Sequence, residues 1–585
     1  MLFRFLLAQL HLRSLTGKRS PKAMKTALRE LPAGSEVYDH AYKEAMERIE
    51  GQNADSERLA KDVLSWITCA KNPFTTLELR HALAVEISAS ELDENNLPEI
   101  EDMVSVCAGL VTVDKESDII RLIHYTTQEY FQRTWTSWFP NAERDIGMTC
   151  VTYLSFNSFK TGYCPKDKFQ ERLRENALYG YAARNWAYHA RASLLESEQL
   201  ILNFLESEPK VSSSFQAVVP LAGPYHYNSG LEKRSGVIRG VHLAAYFGLT
   251  ETIRILLKNG HDKDSRDNYY GQTPLSWAAS EGHEGVVKLL LEEEVDADSK
   301  DDDGQTPLLL AAGNGQEAVV KQLLTVDGVD VNSKDNNSQT AMLLAAEKGH
   351  EVVVKQLLAV DGVDVNSKDD NGRTALLWAA GNGHKVVVKQ LLAVDGVDIN
   401  SKDNEYSQTA LSWAARDGNE AVVKQLLAVD GVDVNSKDDN GRTALLWAGG
   451  NGHKAVVKQL LAVDGVDVNS KDNVFGRTVL SWEARNGNEA EVKQLLAVDG
   501  VDVNSKDNNS QTAISLAAEN GHEVVVKHLL AIDGVDVNSK DNSDRTALSW
   551  AAWNGHKVVV KQLLAVDGVD VNSKDRGQMA LSRAA

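Results

Sequence analysis

Residues 370–403 read DNGRTALLWAAGNGHKVVVKQLLAVDGVDINSKD, and residues 439–472 repeat them almost letter for letter. The closing phrase, V-D-V-N-S-K-D or a near copy, places its lysine at Lys300, Lys334, Lys368, Lys402, Lys437, Lys471, Lys506, Lys540 and Lys574, at spacings of 34 or 35 residues. A fixed period of this length marks stacked repeats. Each unit reads as a turn ending in Thr, a short apolar helix such as TALLWAA, a Gly-Asn-Gly-His turn, a second helix such as VVVKQLLA, and a return loop. Thr306, Thr340 and Thr374 stand where a hydroxyl can satisfy an orphan helix N–H. Pro274 and Pro307 follow two such threonines, where a missing N–H costs nothing. Gly315, Gly349 and Gly383 stand where the first helix must stop and a left-handed residue is needed. One helix pair has too little apolar surface to fold alone, so neighbours must stack. Near-identity of units points to recent duplication.

Outward from the repeats, composition bounds the rest. The chain has 585 residues, 43% of them hydrophobic and 25% charged, which is ordinary for a globular protein. Its net charge is −21; residues 1–235 hold 27 basic and 31 acidic side chains, so the repeats carry most of the acidic field. That balance excludes a general nucleic-acid binder, which needs a basic surface. Four cysteines, none at zinc-ligand spacing, fit a reducing, cytoplasmic setting. No uninterrupted apolar run of about 18 residues occurs, so no membrane span is expected. The basic, acid-free stretch before Glu30 has the composition of a mitochondrial presequence, but Phe3, Leu6, Leu7 and Leu10 equally fit one face of a core helix.

TPLSWAASEGHEGVVKLLL (273–291) and VHLAAYFG (241–248), with His242, resemble the ankyrin family. The resemblance covers residues 236–585, as one degenerate unit, nine close ones and a carboxy-terminal fragment, RGQMALSRAA, read as a partial first helix of a truncated array. It implies a mainly α solenoid of helix–turn–helix units with β-hairpin loops. This chain departs from the family where Trp277, Trp378, Trp413, Trp447, Trp482 and Trp550 follow the usual histidine position. They are expected to form a buried ladder, since such rings bury large area. His283, His350, His384, His453, His522 and His556 recur at about 10 Å steps for packed helices, too far apart to share an ion bound at ~2 Å, and are read as turn residues. The Ser-Lys-Asp of each loop is read as solvated, not catalytic.

Upstream, DSERLAKDVLSWITCAK (55–71), a helix from Thr75 or Thr76, and a third after Pro98 precede LVTVD and IIRLIHY, which the turn KESD joins as a hairpin. Three helices and a hairpin make a winged helix. LLAQLHLRSLTGKRSPKAMKTALRELP, VLSWITCAKNPFTTLELRHALAV, EDMVSVCAGLVTVD and RLIHYTTQEYF resemble the segment that follows the NACHT domain in fungal immune-receptor-like (STAND, NLR-like) proteins. The winged-helix part is also named for a GPI inositol-deacylase, yet these stretches hold no serine nucleophile motif. The nearest phosphate-loop match, Gly17-Lys18-Arg19-Ser20, lacks the upstream glycine and a Ser/Thr directly after Lys18. No nucleotide, cofactor or metal is expected, and no enzymatic activity. Glu99, Glu101 and Asp102 at the third helix argue against DNA, and the His124/Glu129 pair is read as structural.

The organisation expected is a helical remnant after a missing NACHT domain (1–54), a winged helix (55–140), a helical segment (141–208), a linker (209–235, with Ser212-Ser213-Ser214 and Pro220, Gly223 and Pro224) and the repeats (236–585). Three units carry an extra tip residue, and each brings an aromatic: Tyr269 with Tyr270, Tyr406, and Phe475; Trp553 ends another first helix. The resemblance implies that tips and first helices line a concave face. Interfaces favour Tyr and Trp, and the acidic field favours a basic protein partner. The function expected is a protein-interaction scaffold, the recognition and regulatory half of an NLR-like protein without its NTPase. The alternatives are a subunit working with a separate NACHT chain and, behind it, a DNA-binding regulator.

Overall fold

The computed structural model describes residues 20, 22, 25–26, 36–191, 194–218, 238–572, 574–575 and 578–579. Most of the amino-terminal remnant, with its presequence-like stretch, therefore lies outside the described residues, as do Pro220, Gly223 and Pro224. The chain divides into two compact units, residues 1–296 and 297–585.

The first unit begins with α1 (Glu36–Glu50), α2 (Ala54–Cys69), β1 (Phe74–Thr75), α3 (Thr76–Ala84), α4 (Ile100–Val106), β2 (Val111–Val113), β3 (Ile119–Leu122) and α5 (Tyr125–Trp138). The expected hairpin is β2–β3, with Val111 opposite Leu122. A third strand joins it: β1 pairs antiparallel with β3, Phe74 opposite Ile120. Thr75 ends that strand and opens α3 in one residue. Its hydroxyl accepts from Glu78 N–H, and the Glu78 carboxylate accepts from Thr75 N–H at 2.8 Å, a reciprocal cap. His124 caps α5, its Nδ1 accepting from Thr126 N–H at 3.3 Å.

Next come α6 (Ala142–Leu154), α7 (Lys166–Glu175), α8 (Tyr179–Ala190), α9 (Leu194–Leu205) and α10 (Glu208–Val218). Tyr181 of α8 reaches the winged helix, its ring 4.4 Å from Phe74 and 6.0 Å from Trp66. A buried polar chain runs behind it, Tyr181 Oη to His189 Nε2 at 2.8 Å and His189 Nδ1 to Glu143. α10 corrects one expectation: Ser212, Ser213 and Ser214 are helical and buried, not linker. The hydroxyls of Ser212 and Ser213 find protein partners in place of water, while Ser214 Oγ has none among the described residues. Ser213 Oγ accepts from Arg172, and Ser212 Oγ accepts from Ile238 N–H at 3.2 Å. The unit closes with two repeat pairs, α11 (Gly240–Tyr246) with α12 (Thr250–Lys258) and α13 (Pro274–Glu281) with α14 (Glu284–Glu292). α9 and α10 pack on α11 and cover the first pair, as an array end requires.

The second unit is repeats. Its first helices are α15 (Pro307–Gly313), α17 (Ala341–Lys348), α19 (Ala375–Gly381), α21 (Ala410–Arg416), α23 (Ala444–Gly450), α25 (Val479–Asn486), α27 (Ala513–Asn520) and α29 (Ala547–Trp553). The second helices are α16 (Glu317–Leu323), α18 (Glu351–Leu358), α20 (Lys385–Leu392), α22 (Glu420–Leu426), α24 (Lys454–Leu461), α26 (Glu489–Leu495), α28 (Glu523–Leu530) and α30 (Lys557–Leu564). Thr306, Thr340 and Thr374 cap their helices as expected, and Gly315, Gly349 and Gly383 have φ of 70°, 77° and 76°. The loops up to residue 572 close through turns. Only the last described one is a strand pair, β4 (Lys574–Asp575) with β5 (Gln578–Met579). The fragment's expected helix lies outside the described residues.

The invariant letters of the repeat are its joints. Asn435 donates through Nδ2 to Gly465 O in the next loop and accepts from Asp467 N–H, both at 2.8 Å. Asn332, Asn366, Asn400, Asn469, Asn504 and Asn538 do the same one repeat on. Lys402 Nζ donates to Lys437 O at 2.7 Å, one strand of a parallel lysine ladder. The histidines reach backward, His384 Nε2 to Glu347 O and His453 Nε2 to Arg416 O, each at 2.9 Å. They are turn residues, but they also join units. Asn435→Ala should cost about 1–2 kcal/mol, two net hydrogen bonds. A urea midpoint equal to that of the wild type would contradict the joint.

Candidate functional site

The face formed by loop tips and first helices is built on an aspartate. From Asp301 to Asp541 the Asp of each Ser-Lys-Asp is buried, Asp369 to 5% and Asp472 to 1% exposure, so the solvated-loop reading is corrected. The loop curls back so that the carboxylate receives its own N–H groups. Asp369 Oδ1 accepts from Asn371 and Arg373 N–H at 3.0 and 2.8 Å. Its Oδ2 accepts from Arg373 Nε at 3.0 Å and Trp378 Nε1 at 3.2 Å. The same indole-to-aspartate bond links Trp413 to Asp403, Trp447 to Asp438, Trp482 to Asp472 and Trp550 to Asp541, at 2.8–3.1 Å.

Trp277 has the same tether, to Asp267 at 2.8 Å, but burial differs between copies, which is a second correction. Trp277 is buried, but Trp378, Trp413, Trp447, Trp482 and Trp550 are only half-buried. Arginines cover the open faces. Arg373, Arg416, Arg442, Arg477 and Arg545 lie 3.8–4.9 Å from the ring centroids of Trp378, Trp413, Trp447, Trp482 and Trp550, and Arg485 lies 5.9 Å from that of Trp482. These are all the arginines among the described residues of 297–585. Guanidinium over indole is an attractive pairing. Sequence reading missed it, although the signal was present: from Trp378 to Trp550, each of these five tryptophans has an Arg two residues before its helix or at that helix's end.

The five tip aromatics separate into two groups. Tyr269 and Tyr270 are half-buried. Asp267 Oδ1 accepts both backbone N–H groups, at 2.6 and 2.7 Å. The rings turn inward, Tyr269 5.7 Å from Phe215 and Tyr270 5.9 Å from Trp277. Tyr406, Phe475 and Trp553 instead project, at 44%, 41% and 51% exposure. Phe475 stands edge-on to Trp482 at 5.4 Å, with Arg477 over both rings. Exposed carboxylates of Asp370, Glu405, Asp439 and Asp544 share these loops. The backbones here are anchored, and the rings project between carboxylates.

The family model for ankyrin repeats (three copies) matches residues 241–335, 318–403, 382–472 and 480–575, more than half of the chain. The chain belongs to the ankyrin-repeat family. Residues 46–137 match the model of the GPI inositol-deacylase winged helix domain. No curated protein matches the chain. No helix of the described residues is long and apolar enough to cross a membrane.

Proposed function

We propose that this chain is a protein-recognition module whose partner, basic in character, docks on the tips and first helices of residues 370–553. The carrying observation is the row of half-open Trp–Arg pairs with Tyr406, Phe475 and Trp553 projecting beside tip carboxylates. Aromatic and arginine side chains dominate interface energetics, and the acidic field steers a basic partner. The match to ankyrin repeats supports a protein partner. The winged-helix match supports a role as the recognition and regulatory part of a NACHT-type signalling protein. Glu101 and Asp102 in the first turn of α4 speak against phosphate contacts there. A cytoplasmic setting agrees with four free, buried cysteines; burial pushes the Cys69 and Cys107 thiols up to about 12.

The test is capture from native lysate by the full chain and by a Tyr406→Ala/Phe475→Ala/Trp553→Ala variant. We expect a protein retained by the first, lost from the second and released by salt. Equal capture by both overturns the tip reading.

A further inference from the structure

Arg172 of α7 is a buried cation held by neutral acceptors. It is 8% exposed. Its Nη1 donates to Gly162 O at 2.7 Å and Ser213 Oγ at 3.0 Å, and its Nη2 donates to Thr161 Oγ1 at 2.8 Å. All three acceptors are neutral. Among the described residues no carboxylate forms an ion pair with it. A buried cation without a counter-charge is costly, and two of the five guanidinium N–H groups remain.

That guanidinium lines a cleft of about 320 Å³ together with Ser158, Thr161, Tyr163, Lys168 and Asn176. The volume equals roughly ten waters. Lys168 stands one turn before Arg172 on the same helix face. Gly162, with φ of 69°, brings the 161–162 turn against Pro209. Lys160 and Lys210, next in sequence to that turn and to Pro209, feel each other's charge but do not line the cleft. Burial, then the charge of Lys160, holds the Lys210 ammonium below the usual lysine range. Neither lysine forms an ion pair among the described residues. Within the cleft the cations are Arg172 and Lys168, and neither forms an ion pair among the described residues. Glu171 and Glu175 also line the cleft, from exposed positions. They would reject a second anionic group but accept hydrogen bonds from hydroxyls.

We propose that the Arg172 cleft binds a small hydroxyl-bearing phosphomonoester, its phosphate on Arg172 and Lys168 and its hydroxyls toward Glu171 and Glu175. A guanidinium edge and an ammonium suit a tetrahedral dianion. The cleft belongs to the helical segment and is independent of the repeat face.

The test is isothermal titration calorimetry of the full chain at constant ionic strength with glycerol 3-phosphate, inorganic phosphate and malonate. Saturable binding of glycerol 3-phosphate, weaker binding of inorganic phosphate and none of malonate are expected. Arg172→Gln should weaken glycerol 3-phosphate at least about tenfold. Because Arg172 also ties Gly162 to Ser213, this variant can misfold. Lys168→Gln, at an exposed position, keeps the fold and should weaken binding about threefold. No saturable binding of either phosphate compound overturns the site. So does Lys168→Gln, or a folded Arg172→Gln, binding like the wild type. Malonate binding as well as glycerol 3-phosphate overturns the phosphate assignment.

Discussion

Asp369→Ala should destabilise its repeat by about 3–5 kcal/mol, among the largest effects of any loop substitution. The side chain accepts four hydrogen bonds at 5% exposure, from Asn371 N–H, Arg373 N–H, Arg373 Nε and Trp378 Nε1. Alanine leaves two loop N–H groups and an indole N–H without an acceptor where water enters poorly. It also leaves Arg373 without its ion pair, now 3.0 Å long. Trp378→Phe keeps the ring and removes one bond, so it should cost only about 1 kcal/mol. Guanidinium denaturation separates the two. In a repeat array the loss is local, so a broadened transition should accompany Asp369→Ala. If Asp369→Ala costs no more than Trp378→Phe, the carboxylate does not organise the loop.

The second large effect lies at the α23–α25 contact. Repeats place alanine at two adjoining core positions, Ala379 and Ala380 in one copy and Ala414 and Ala415 in the next; the two copies after that read Gly449 in α23 and Glu483 in α25. The two departures fit each other. A Cβ on Gly449 would stand 2.8 Å from Glu483 Oε1 and 2.6 Å from Val479 Cγ2. Glu483 is fully buried, its Oε2 accepting from Asn488 Nδ2 at 2.6 Å, while its Oε1 has no partner. Glu491 of α26, at a position that is valine in most copies, is also buried, and Lys454 of α24 bonds it at 3.2 Å. Burial raises the Glu483 carboxyl to about 7; Asn488 opposes this, Glu491 adds to it and Lys454 opposes it.

The sign follows from linkage. A raised carboxyl pKa means that the folded state holds a proton which the unfolded state has released between about 4.5 and 7. Stability is therefore highest below the unfolded value and falls as pH rises through 7, by about 3 kcal/mol in all. Gly449→Ala alone should destabilise by crowding Glu483. In a Glu483→Ala/Glu491→Val background it should stabilise, because two buried carboxylates give way to packed methyls, worth about 1–4 kcal/mol. Denaturation midpoints at pH 5.5 and 8 check this: wild type should be weaker at pH 8, the triple variant flat. A pH-independent wild type would mean that the Glu483 charge is stabilised by something other than these groups.

Much of this was readable beforehand. The lysine spacing marked the loops from Lys300 onward, and threonine and glycine marked the helix ends where the structure has them. Three-helix-plus-hairpin order located the winged helix, but the two-residue β1 is too short to show alternation. Burial was harder. Ser-Lys-Asp looks like a surface turn, because no local pattern says that a loop will fold onto its own carboxylate. The tryptophans looked interior because ring size was weighed without their neighbours: of the six, Trp277 alone is buried, among Phe215, Tyr246 and Tyr270. Tyr269 and Tyr270 carry the same extra-residue signature as Tyr406. Phe215, some 55 residues away in sequence, receives Tyr269, and Trp277 receives Tyr270. Arg172 gave no signal, since its isolation depends on which neighbours fold around it.

Two sets of variants separate holding from binding most directly. The partner captured by the full chain is titrated against Tyr406→Ala/Phe475→Ala/Trp553→Ala and against Asn435→Ala, with thermal midpoints measured alongside. The exposed rings should be dispensable for stability, so the triple variant is expected to keep its midpoint and lose at least about tenfold in affinity. Asn435→Ala is expected to lose stability and, while folded, keep affinity. A triple variant that binds like the wild type, or that loses affinity only by unfolding, would contradict recognition by the tip face.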